Sequence, residues 1–217
     1  GSKLSSHVVI IGHTTIGKRN RFFANAVIGG EPQDVSFRNA PTYLEIGDDN
    51  VFREGVTVNR GAEKEDHITR IGNRNVLMAN SHVAHNCNVR NNIFLINGVL
   101  LGGHVHVHDG AIVSGNAAVH PFSTLGTLSY IGGVCRIVRD VPPFMLASGD
   151  DKPVIKTINR IGMERAGISR NTINVIRQAH NLLFRRVKSV DEVRSIFEER
   201  LDGIFPFELS MVLASIE

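Results

Sequence analysis

A six-residue period runs through the centre of this 217-residue chain. Aliphatic side chains occupy every sixth position from Ile71 to Ile137, and from Leu77 onward a small or aliphatic residue follows each of them by four positions. This period fits neither an α-helix nor a simple alternating strand, so it describes a short strand and a corner that repeat as one unit. Three units make a triangular coil of about 18 residues, in which equivalent side chains stack on one another. The sequence therefore predicts a parallel β-solenoid.

Two series of residues are expected to point into this solenoid. The first is Ile71, Leu77, Val83, Val89, Leu95, Leu101, Val107, Val113, Val119, Leu125, Ile131 and Ile137. The second is Ser81, Cys87, Ile93, Val99, Val105, Ala111, Ala117, Ser123, Ser129, Cys135 and Val141. Because both cysteines occupy positions of the second series, we interpret them as inert core residues.

The same period appears between Leu4 and Ile28 and between Ile46 and Val58, and it is interrupted by expected loops near 29–45 and 59–70. It ends at Pro142-Pro143. Helical patterning follows: residues 170–187 carry an apolar face that is expected to include Ile173, Ile176, Leu183 and Val187. The segment "SVDE" at 189–192 reads as a capping box that opens a second helix through Leu201, and Pro206 can start a third. We expect a β-helix over residues 1–150 and a small α-helical domain over residues 151–217.

Composition and charge exclude several classes of protein. Hydrophobic residues make up 42% of the chain, but no run is long enough to span a membrane. The chain shows no secretory signal, and two cysteines are too few for a disulfide framework, so we expect a cytoplasmic protein. Residues 152–188 contain nine basic side chains against Glu164 alone. This segment is either a solvated helix face or a docking surface for phosphates or an acidic partner, and nothing indicates nucleic acid.

The repeat resembles that of the hexapeptide-repeat proteins, which implies that the β-helix is left-handed. The segments "GGEPQD", "VTVNRG", "NVLMANSHVAHNCNV", "LLGGHV", "AVHPF", "DVPPFMLASGD" and "NRIGMERAGIS" lie in the order and spacing of the acyl-[acyl carrier protein]:UDP-N-acetylglucosamine O-acyltransferases. The resemblance covers most of the chain, which starts a couple of coils into the family's prism. It implies transfer of a (3-hydroxy)acyl chain to the 3-hydroxyl of a UDP-amino sugar, the first step of lipid A biosynthesis. It also implies acyl carrier protein as partner and no cofactor beyond the phosphopantetheine that this protein carries. Because a prism this narrow cannot enclose a substrate within one coil stack, we expect a homotrimer with its active sites in clefts between neighbours.

The chemistry of such a transfer requires a general base, because an alcohol attacks a thioester only as its proton is removed. Imidazole suits this role near neutral pH. By resemblance His85 is the base, Gly103 supplies the N–H of the oxyanion hole, and Asn86 stands where the family has an Asp that orients the base. An amide can hold the imidazole but cannot stabilise its cation by charge, so we expect weaker catalysis. The substrate-binding positions implied by the resemblance are Gln33, Asp34, His82, His104, His120, Asn159 and Arg165.

Several other family positions are changed in this chain. Ser36 replaces a Lys, Asn59 a His, Pro121 a Gln, Ile161 a Glu and Ala166 an Arg. These changes affect contacts to the sugar and the nucleotide more than the base and the oxyanion hole. Gly133 matches the position that limits acyl-chain length, and a glycine there favours a medium or long chain. The acceptor has therefore changed, or the chain is a paralogue with reduced activity.

Three alternatives follow from the residues. Carbonic anhydrases of the same fold bind a metal through an H-x4-H pair, but no two of the ten histidines here are five apart, so we predict no metal site. An acetyl-CoA-dependent sugar acetyltransferase would share the fold and the base. A non-catalytic binding or assembly protein would keep the trimer without turnover.

Overall fold

The computed structural model describes residues 1–150, 152–201 and 203–217. Each coil contributes one short strand to each of three sheets, which we call sheets A, B and C, and strands of successive coils pair in parallel. Val83 lies opposite Leu101, and Leu101 opposite Val119, so the register repeats every 18 residues. Equivalent residues of neighbouring coils therefore lie about 4.8 Å apart.

The strands are assigned to the sheets as follows. Sheet A contains β1 (Lys3–Leu4), β4 (Arg21–Phe22), β7 (Val51–Phe52), β10 (Val76–Leu77), β13 (Phe94–Leu95), β16 (Ile112–Val113), β19 (Tyr130–Ile131), β21 (Met145–Ser148) and β22 (Val154–Ile158). Sheet B contains β2 (Val9–Ile10), β5 (Val27–Gly30), β8 (Thr57–Asn59), β11 (His82–Val83), β14 (Leu100–Leu101), β17 (Ala118–Val119) and β20 (Arg136–Ile137). Sheet C contains β3 (His13–Ile16), β6 (Tyr43–Ile46), β9 (Ile68–Ile71), β12 (Asn88–Val89), β15 (His106–Val107) and β18 (Thr124–Leu125).

The core of the prism consists of the two predicted inward series. Every member of both series is less than 5% exposed, which confirms the prediction. Full burial of one Val, Leu or Ile side chain contributes about 1.5–3 kcal/mol, so the repeat is a large source of stability. Leu4 and Ile10 are exceptions in the earlier part of the repeat, because they lie in the first coil and have a neighbouring coil on one side only.

The corners also repeat every six residues. From Arg74 to Val134 one residue per corner has a positive φ, and this position is occupied by Asn80, Asn86, Asn92, Gly98, His104, Gly110, Asn116, Phe122 and Leu128 in between. Asn and Gly tolerate this left-handed conformation, whereas a β-branched residue such as Val134 adopts it only under strain. The corner between sheets B and C carries Asn86, His104 and Phe122 at this position in three successive coils.

Two loops leave the prism where the hexad pattern breaks. The first runs from β5 to β6 and the second from β8 to β9, and both lie near the same corner. Glu63 joins them, because its Oε1 accepts hydrogen bonds from the N–H groups of Arg38 and Ala40 at 2.9 and 2.7 Å. The loops therefore form one layer over the prism.

The chain after the last coil begins with a strand that the sequence patterning did not indicate. Strand β22 pairs antiparallel with β21 at the end of sheet A. The helices are α1 (Arg160–Arg165), α2 (Arg170–His180), which continues as a π-helical turn (Asn181–Arg185), α3 (Val190–Arg200) and α4 (Phe207–Ala214). None of the described helices is long and apolar enough to cross a membrane.

The helix predictions were confirmed with one exception. Ile173, Ile176 and Leu183 are buried, and the capping box between Ser189 and Glu192 is formed on both sides. The prediction for Val187 was wrong: its side chain is 82% exposed, because the helical turn ends at Arg185 and Val187 has a φ of 52°.

Candidate active site

His85 lies at the corner between sheets B and C, directly after β11, and its side chain is 12% exposed. Beside it runs a groove of about 650 Å³. The residues that line this groove are Gln33, Thr57, Asn80, His82, Ala84, His85, Leu100, Leu101, Gly102, Gly103, Val119 and Pro121. The structure thus brings four of the predicted site residues together: Gln33, His82, His85 and Gly103.

Asn86 determines which nitrogen of His85 carries the proton. Its Oδ1 accepts a hydrogen bond from Ala62 N–H at 2.8 Å, and its Nδ2 donates to the carbonyl of Lys64 at 2.8 Å, so these backbone partners fix the orientation of the amide. The same Oδ1 lies 3.0 Å from Nδ1 of His85. Because this oxygen can only accept, the neutral imidazole carries its hydrogen on Nδ1 and has its lone pair on Nε2. The ring is therefore oriented as a base.

Gly103 lies one coil from His85 at the equivalent corner position. A Cβ atom added at Gly103 would lie 2.7 Å from Cε1 and Nε2 of His85, so a glycine is needed to leave room for the imidazole. No described residue accepts a hydrogen bond from Gly103 N–H. This N–H group can therefore donate to an oxygen beside Nε2 of His85, as an oxyanion hole requires.

Asp34 reaches the site from the first loop. Its Oδ2 lies 4.0 Å from Nε2 of His85 and accepts a hydrogen bond from the Lys64 ammonium at 2.7 Å. Its Oδ1 accepts from both N–H and Oγ of Ser36, each at 2.8 Å. The Lys64 ammonium, together with the bonds from Ser36, holds the pKa of Asp34 well below its usual range. The carboxylate is thus ionised beside His85.

His82 and His104 flank His85. Nδ1 of His82 lies 2.7 Å from Thr57 Oγ1, and burial, together with the neighbouring His85, lowers the pKa of His82, which favours the neutral ring. His104 is 5% exposed and meets His85 edge to face, with 5.2 Å between the ring centroids. Its Nδ1 lies 2.8 Å from Oε1 of Glu65, and its Nε2 has no hydrogen-bond partner among the described residues.

His120 lies outside this immediate cluster. It occupies the corner one coil beyond Gly102 and is exposed, with Nδ1 3.0 Å from the carbonyl of Pro121. Gly133 is also exposed, at the corner between sheets A and B, on the opposite side of sheet B from His85. Sheet B therefore lies between His85 and the position that is predicted to limit chain length.

Asn159 and Arg165 line a different groove, of about 960 Å³, which lies over sheet A and below helix α1. Arg165 is exposed there. Both polar groups of Asn159 already have partners, because Oδ1 accepts from Gly162 N–H at 3.0 Å and Nδ2 donates to the carbonyl of Leu128 at 2.8 Å. Within one chain these two residues therefore do not join the cluster around His85.

Sequence reasoning missed Thr57, Lys64, Glu65 and Phe122. Phe122 stacks on the ring of His104 with 4.4 Å between centroids. Lys64 and Glu65 lie in the second loop, which has no repeat from which their neighbours could be inferred. The available signal was their charge, which stands out in a segment between two buried strands.

Two further features bear on the chemistry. Among the described residues, no three His, Cys, Asp or Glu side chains are placed to hold a metal ion. Cys87 and Cys135 are buried free thiols, and burial raises the pKa of Cys87 to about 12, so this thiol is not a nucleophile near neutral pH.

A family model described as UDP-N-acetylglucosamine O-acyltransferase, domain 2, matches residues 140–206. Among curated proteins, the acyl-[acyl-carrier-protein]–UDP-N-acetylglucosamine O-acyltransferase of Synechocystis sp. is 45% identical over 178 residues, which are 82% of this chain and 64% of that protein. The protein of the same name from Sinorhizobium fredii is 42% identical over 203 residues, which are 93% and 75%. The chain thus spans slightly less than two thirds of the length of its cyanobacterial relatives.

Solved structures agree with these relatives. LpxA from Acinetobacter baumannii has a TM-score of 0.93 at 37% identity and covers 100% of this chain and 83% of its own. LpxA from Bacteroides fragilis, a UDP-N-acetylglucosamine acyltransferase, has a TM-score of 0.92 at 32% identity, with coverage of 99% and 83%. The predicted fold class, a left-handed parallel β-helix with a helical tail, is confirmed by this likeness.

Proposed function

Because the chain belongs to the acyl-[acyl-carrier-protein]–UDP-N-acetylglucosamine O-acyltransferase family, we propose that it transfers a (3-hydroxy)acyl chain from acyl carrier protein to the 3-hydroxyl of UDP-N-acetylglucosamine or a related UDP-amino sugar. The sugar oxygen attacks the thioester carbon, the C–S bond breaks and the phosphopantetheine thiol leaves. The base takes the hydroxyl proton and returns a proton to the departing sulfur.

The observation that carries this proposal is the orientation of His85 by Asn86. The hydrogen on Nδ1 leaves the Nε2 lone pair available to accept the hydroxyl proton. A positioned base of this kind contributes about 10²–10⁴ in rate. Asn86 holds the ring without a negative charge, so the imidazolium that forms during attack gains less stabilisation than an Asp would give.

The oxyanion of the tetrahedral intermediate forms next to the attacking oxygen. Gly103 N–H is suited to stabilise it, because Gly103 packs against the Cε1–Nε2 edge of His85. Removing one such donor typically costs about 10²–10³ in rate.

The acceptor subsite is formed by polar groups around Nε2 of His85. The ionised Asp34 accepts hydrogen bonds from sugar hydroxyl groups, and Gln33 lies in the same groove. The neutral His82 and the buried His104 offer ring nitrogens on either side. Ser36 takes no position of its own in this subsite, since it is bonded to Asp34.

The outer faces of the three sheets support a homotrimer. In the middle coils, sheet A presents Val76, Phe94 and Ile112 outward, and sheet B presents Leu100 and Ala118. Sheet C instead presents Glu45, Arg70, Asn88, His106 and Thr124. Two faces with apolar middle coils and one polar face suit a head-to-tail contact that closes into a threefold ring.

Such a ring also explains the two separate grooves. Packing sheet B of one subunit against sheet A of the next would bring His85 near the partner subunit's Asn159 and Arg165. A single active site would then consist of the base and oxyanion hole from one chain and the tail residues from its neighbour. His120 and Gly133 would lie along the same cleft, with the acyl chain extending across sheet B.

Acyl carrier protein is acidic, and the basic segment 152–188 offers a complementary surface. Arg160, Arg165, Arg177 and Arg185 are all exposed there, and the acidic residues of this stretch are outnumbered nine to one. Surface charge of this kind mainly accelerates encounter.

The deciding experiment is turnover with UDP-N-acetylglucosamine and a panel of acyl carrier protein thioesters, compared with acetyl-CoA. We expect transfer from a medium or long 3-hydroxyacyl thioester, because Gly133 adds no side chain at the corner between sheets A and B. Transfer from acetyl-CoA alone would instead support a sugar acetyltransferase. No transfer from any donor by an intact trimer would support the non-catalytic alternative.

A further inference from the structure

The second loop, residues 60–67, brings two oppositely charged side chains to the two sides of His85. Lys64 contacts Asp34 on the Nε2 side, and Glu65 contacts His104, whose ring meets His85 edge to face. Neither residue belongs to a motif that indicated function in the sequence. Each of them therefore holds a side chain that lies next to the imidazole of His85.

Lys64 places a cation beside the carboxylate of the first loop. The hydroxyl of Ser36 is bonded to Asp34 Oδ1. The Lys64 ammonium reaches the other oxygen, Oδ2, at 2.7 Å, and this is also the oxygen that lies 4.0 Å from Nε2 of His85. Lys64 remains 47% exposed, so its other two N–H groups can donate to a ligand in the groove.

Glu65 fixes the ring of His104 from the other side. His104 is 5% exposed, and Oε1 of Glu65 accepts from its Nδ1 at 2.8 Å. Stacking on Phe122 prevents the ring from turning. The remaining nitrogen, Nε2, is buried and has no protein partner among the described residues. A buried polar atom without a partner destabilises the free protein, so a ligand that bonds to it is favoured.

Asn86 fastens this loop to the base. Its amide bonds to Ala62 N–H and to the carbonyl of Lys64, so the backbone on both sides of residue 63 is held by the same side chain that orients His85. Asn86 is 3% exposed, which shields these bonds from water. The positions of Lys64 and Glu65 are therefore set relative to His85 and not only relative to the loop.

We propose that the 60–67 loop positions the sugar acceptor, with Lys64 and Glu65 as positioning residues that hold Asp34 and His104 at fixed places beside Nε2 of His85. Lys64 and Asp34 together bind sugar hydroxyl groups, the first as donor and the second as acceptor. His104, held by Glu65, bonds to a further polar group of the acceptor through Nε2. This inference rests on the proposed acyl transfer and names the residues that hold its acceptor subsite in place.

The loop also contains a matched control. Asp66 is adjacent to Glu65 and makes an ion pair with Arg70 on sheet C, away from His85. Asp66→Asn removes a carboxylate charge and weakens an ion pair in the same loop without touching Asp34 or His104. If the charges in this loop only stabilise its fold, this variant and the two test variants should behave alike.

The test compares Lys64→Met and Glu65→Ala with the wild type and with Asp66→Asn. We expect KM for UDP-N-acetylglucosamine to rise about tenfold in each test variant, because each loses one charge-assisted contact. The donor KM and kcat should each change less than about twofold. The melting temperature should change by no more than a few degrees. Lys64→Arg and Glu65→Gln keep a donor and an acceptor, respectively, and should recover most of the affinity. An acceptor KM that is unchanged in both test variants, or raised equally by Asp66→Asn, would overturn the proposal.

Calorimetric binding of UDP-N-acetylglucosamine separates this proposal from the proposed reaction. A wild type that binds the nucleotide sugar but transfers no acyl group, with binding weakened about tenfold in Lys64→Met and Glu65→Ala, would refute the reaction and support the loop's role. A wild type that turns over and variants that bind as well as it does would refute the loop's role alone. Absence of binding by the wild type would refute both.

Discussion

Oδ1 of Asn86 accepts a hydrogen bond from Nδ1 of His85 at 3.0 Å, while the other end of the same amide donates to the carbonyl of Lys64. The side chain thus accepts one hydrogen bond and donates another, and this combination requires an amide. A carboxylate could hold the imidazole but would present an oxygen to a carbonyl oxygen.

Asn86→Asp should not raise kcat/KM of the proposed acyl transfer, although it introduces the residue that the resemblance implies for the family at this position. The carboxylate loses the hydrogen bond to Lys64 in a buried place, which we expect to cost about 1–3 kcal/mol of unfolding free energy. It also releases the 60–67 loop, so the acceptor KM should rise. Thermal denaturation and steady-state kinetics measure these effects. A variant with a higher kcat and an unchanged melting temperature would show that the loop adapts to the charge.

His85→Ala should lower kcat by about 10²–10⁴, because the base that takes the hydroxyl proton is removed. The melting temperature should change little, since the side chain lies outside the prism core. His106→Ala is the matched control, as this histidine is exposed on sheet C and should not affect the rate. Equal activity of the two variants would exclude His85 as the base.

Mixing two inactive variants should restore activity if the cleft is shared between subunits. We expect His85→Ala and Arg165→Ala each to be impaired as homotrimers. Random mixed trimers would contain about a quarter of clefts with an intact His85 facing an intact Arg165. Unfolding and refolding the two chains together, followed by the transfer assay, should therefore recover about a quarter of the wild-type rate. Additive residual activities alone would place both residues in one chain's site.

The melting temperature should fall as the pH is lowered from about 7 to 5. Burial lowers the pKa of His82, His108 and His180 in the folded protein, whereas the unfolded value is about 6.5. Protons therefore bind more tightly to the unfolded chain, and stability is complete above about pH 6.5 and is lost below it. The lowered pKa of Asp34 affects stability in a separate range, because the stability that it contributes is lost only as the pH falls below about 4. His180→Gln should flatten the profile, and a melting temperature independent of pH between 7 and 5 would contradict the burial of these rings.

Charge reversal in the tail tests the docking of acyl carrier protein. Arg177→Glu with Arg185→Glu should slow association of the acyl donor and leave UDP-N-acetylglucosamine binding unchanged, because surface charges act mainly on the encounter rate. The wild-type association rate should also fall with added salt. Arg90→Glu, outside the tail, serves as the control. Stopped-flow association that is insensitive to both salt and the tail variants would place the dock elsewhere.

The repeat was predictable from the sequence because every coil meets the same steric conditions. One inward side chain per strand and one left-handed corner residue recur every six positions, so a local pattern determines a long-range stack. The Asn and Gly residues from Asn80 to Asn116 carry the corner signal. Val187 lies outside the repeat, where no such pattern marks the end of an element. The apolar periodicity of the helix includes Val187, although the helical turn ends at Arg185.

The proximity of site residues was predictable from the period only where they lie on the repeat, whereas Gln33 and Asp34 in the first loop were predicted by the family resemblance alone. His82 and His85 lie on one coil and Gly103 on the next, so their proximity follows from the period. Lys64 and Glu65 reach the same place through a loop whose course depends on contacts with Asn86 and Glu63, which no periodicity encodes. The separation of Arg165 from His85 within one chain likewise depends on which face of the prism the tail covers.

Between residues 71 and 137 the residue number alone gives a side chain's place on the prism. Residues that differ by 18 lie on the same face, one coil apart along the axis, and residues that differ by less lie at different positions around the prism. A duplicated or deleted coil would therefore move the Gly133 corner relative to His85 by about 4.8 Å while keeping every side chain on its face. From standard bond geometry this step corresponds to roughly four methylene groups of an extended chain. The preferred length of the acyl chain in such a scaffold can accordingly change in discrete steps when a whole coil is inserted or deleted, without any substitution in the groove.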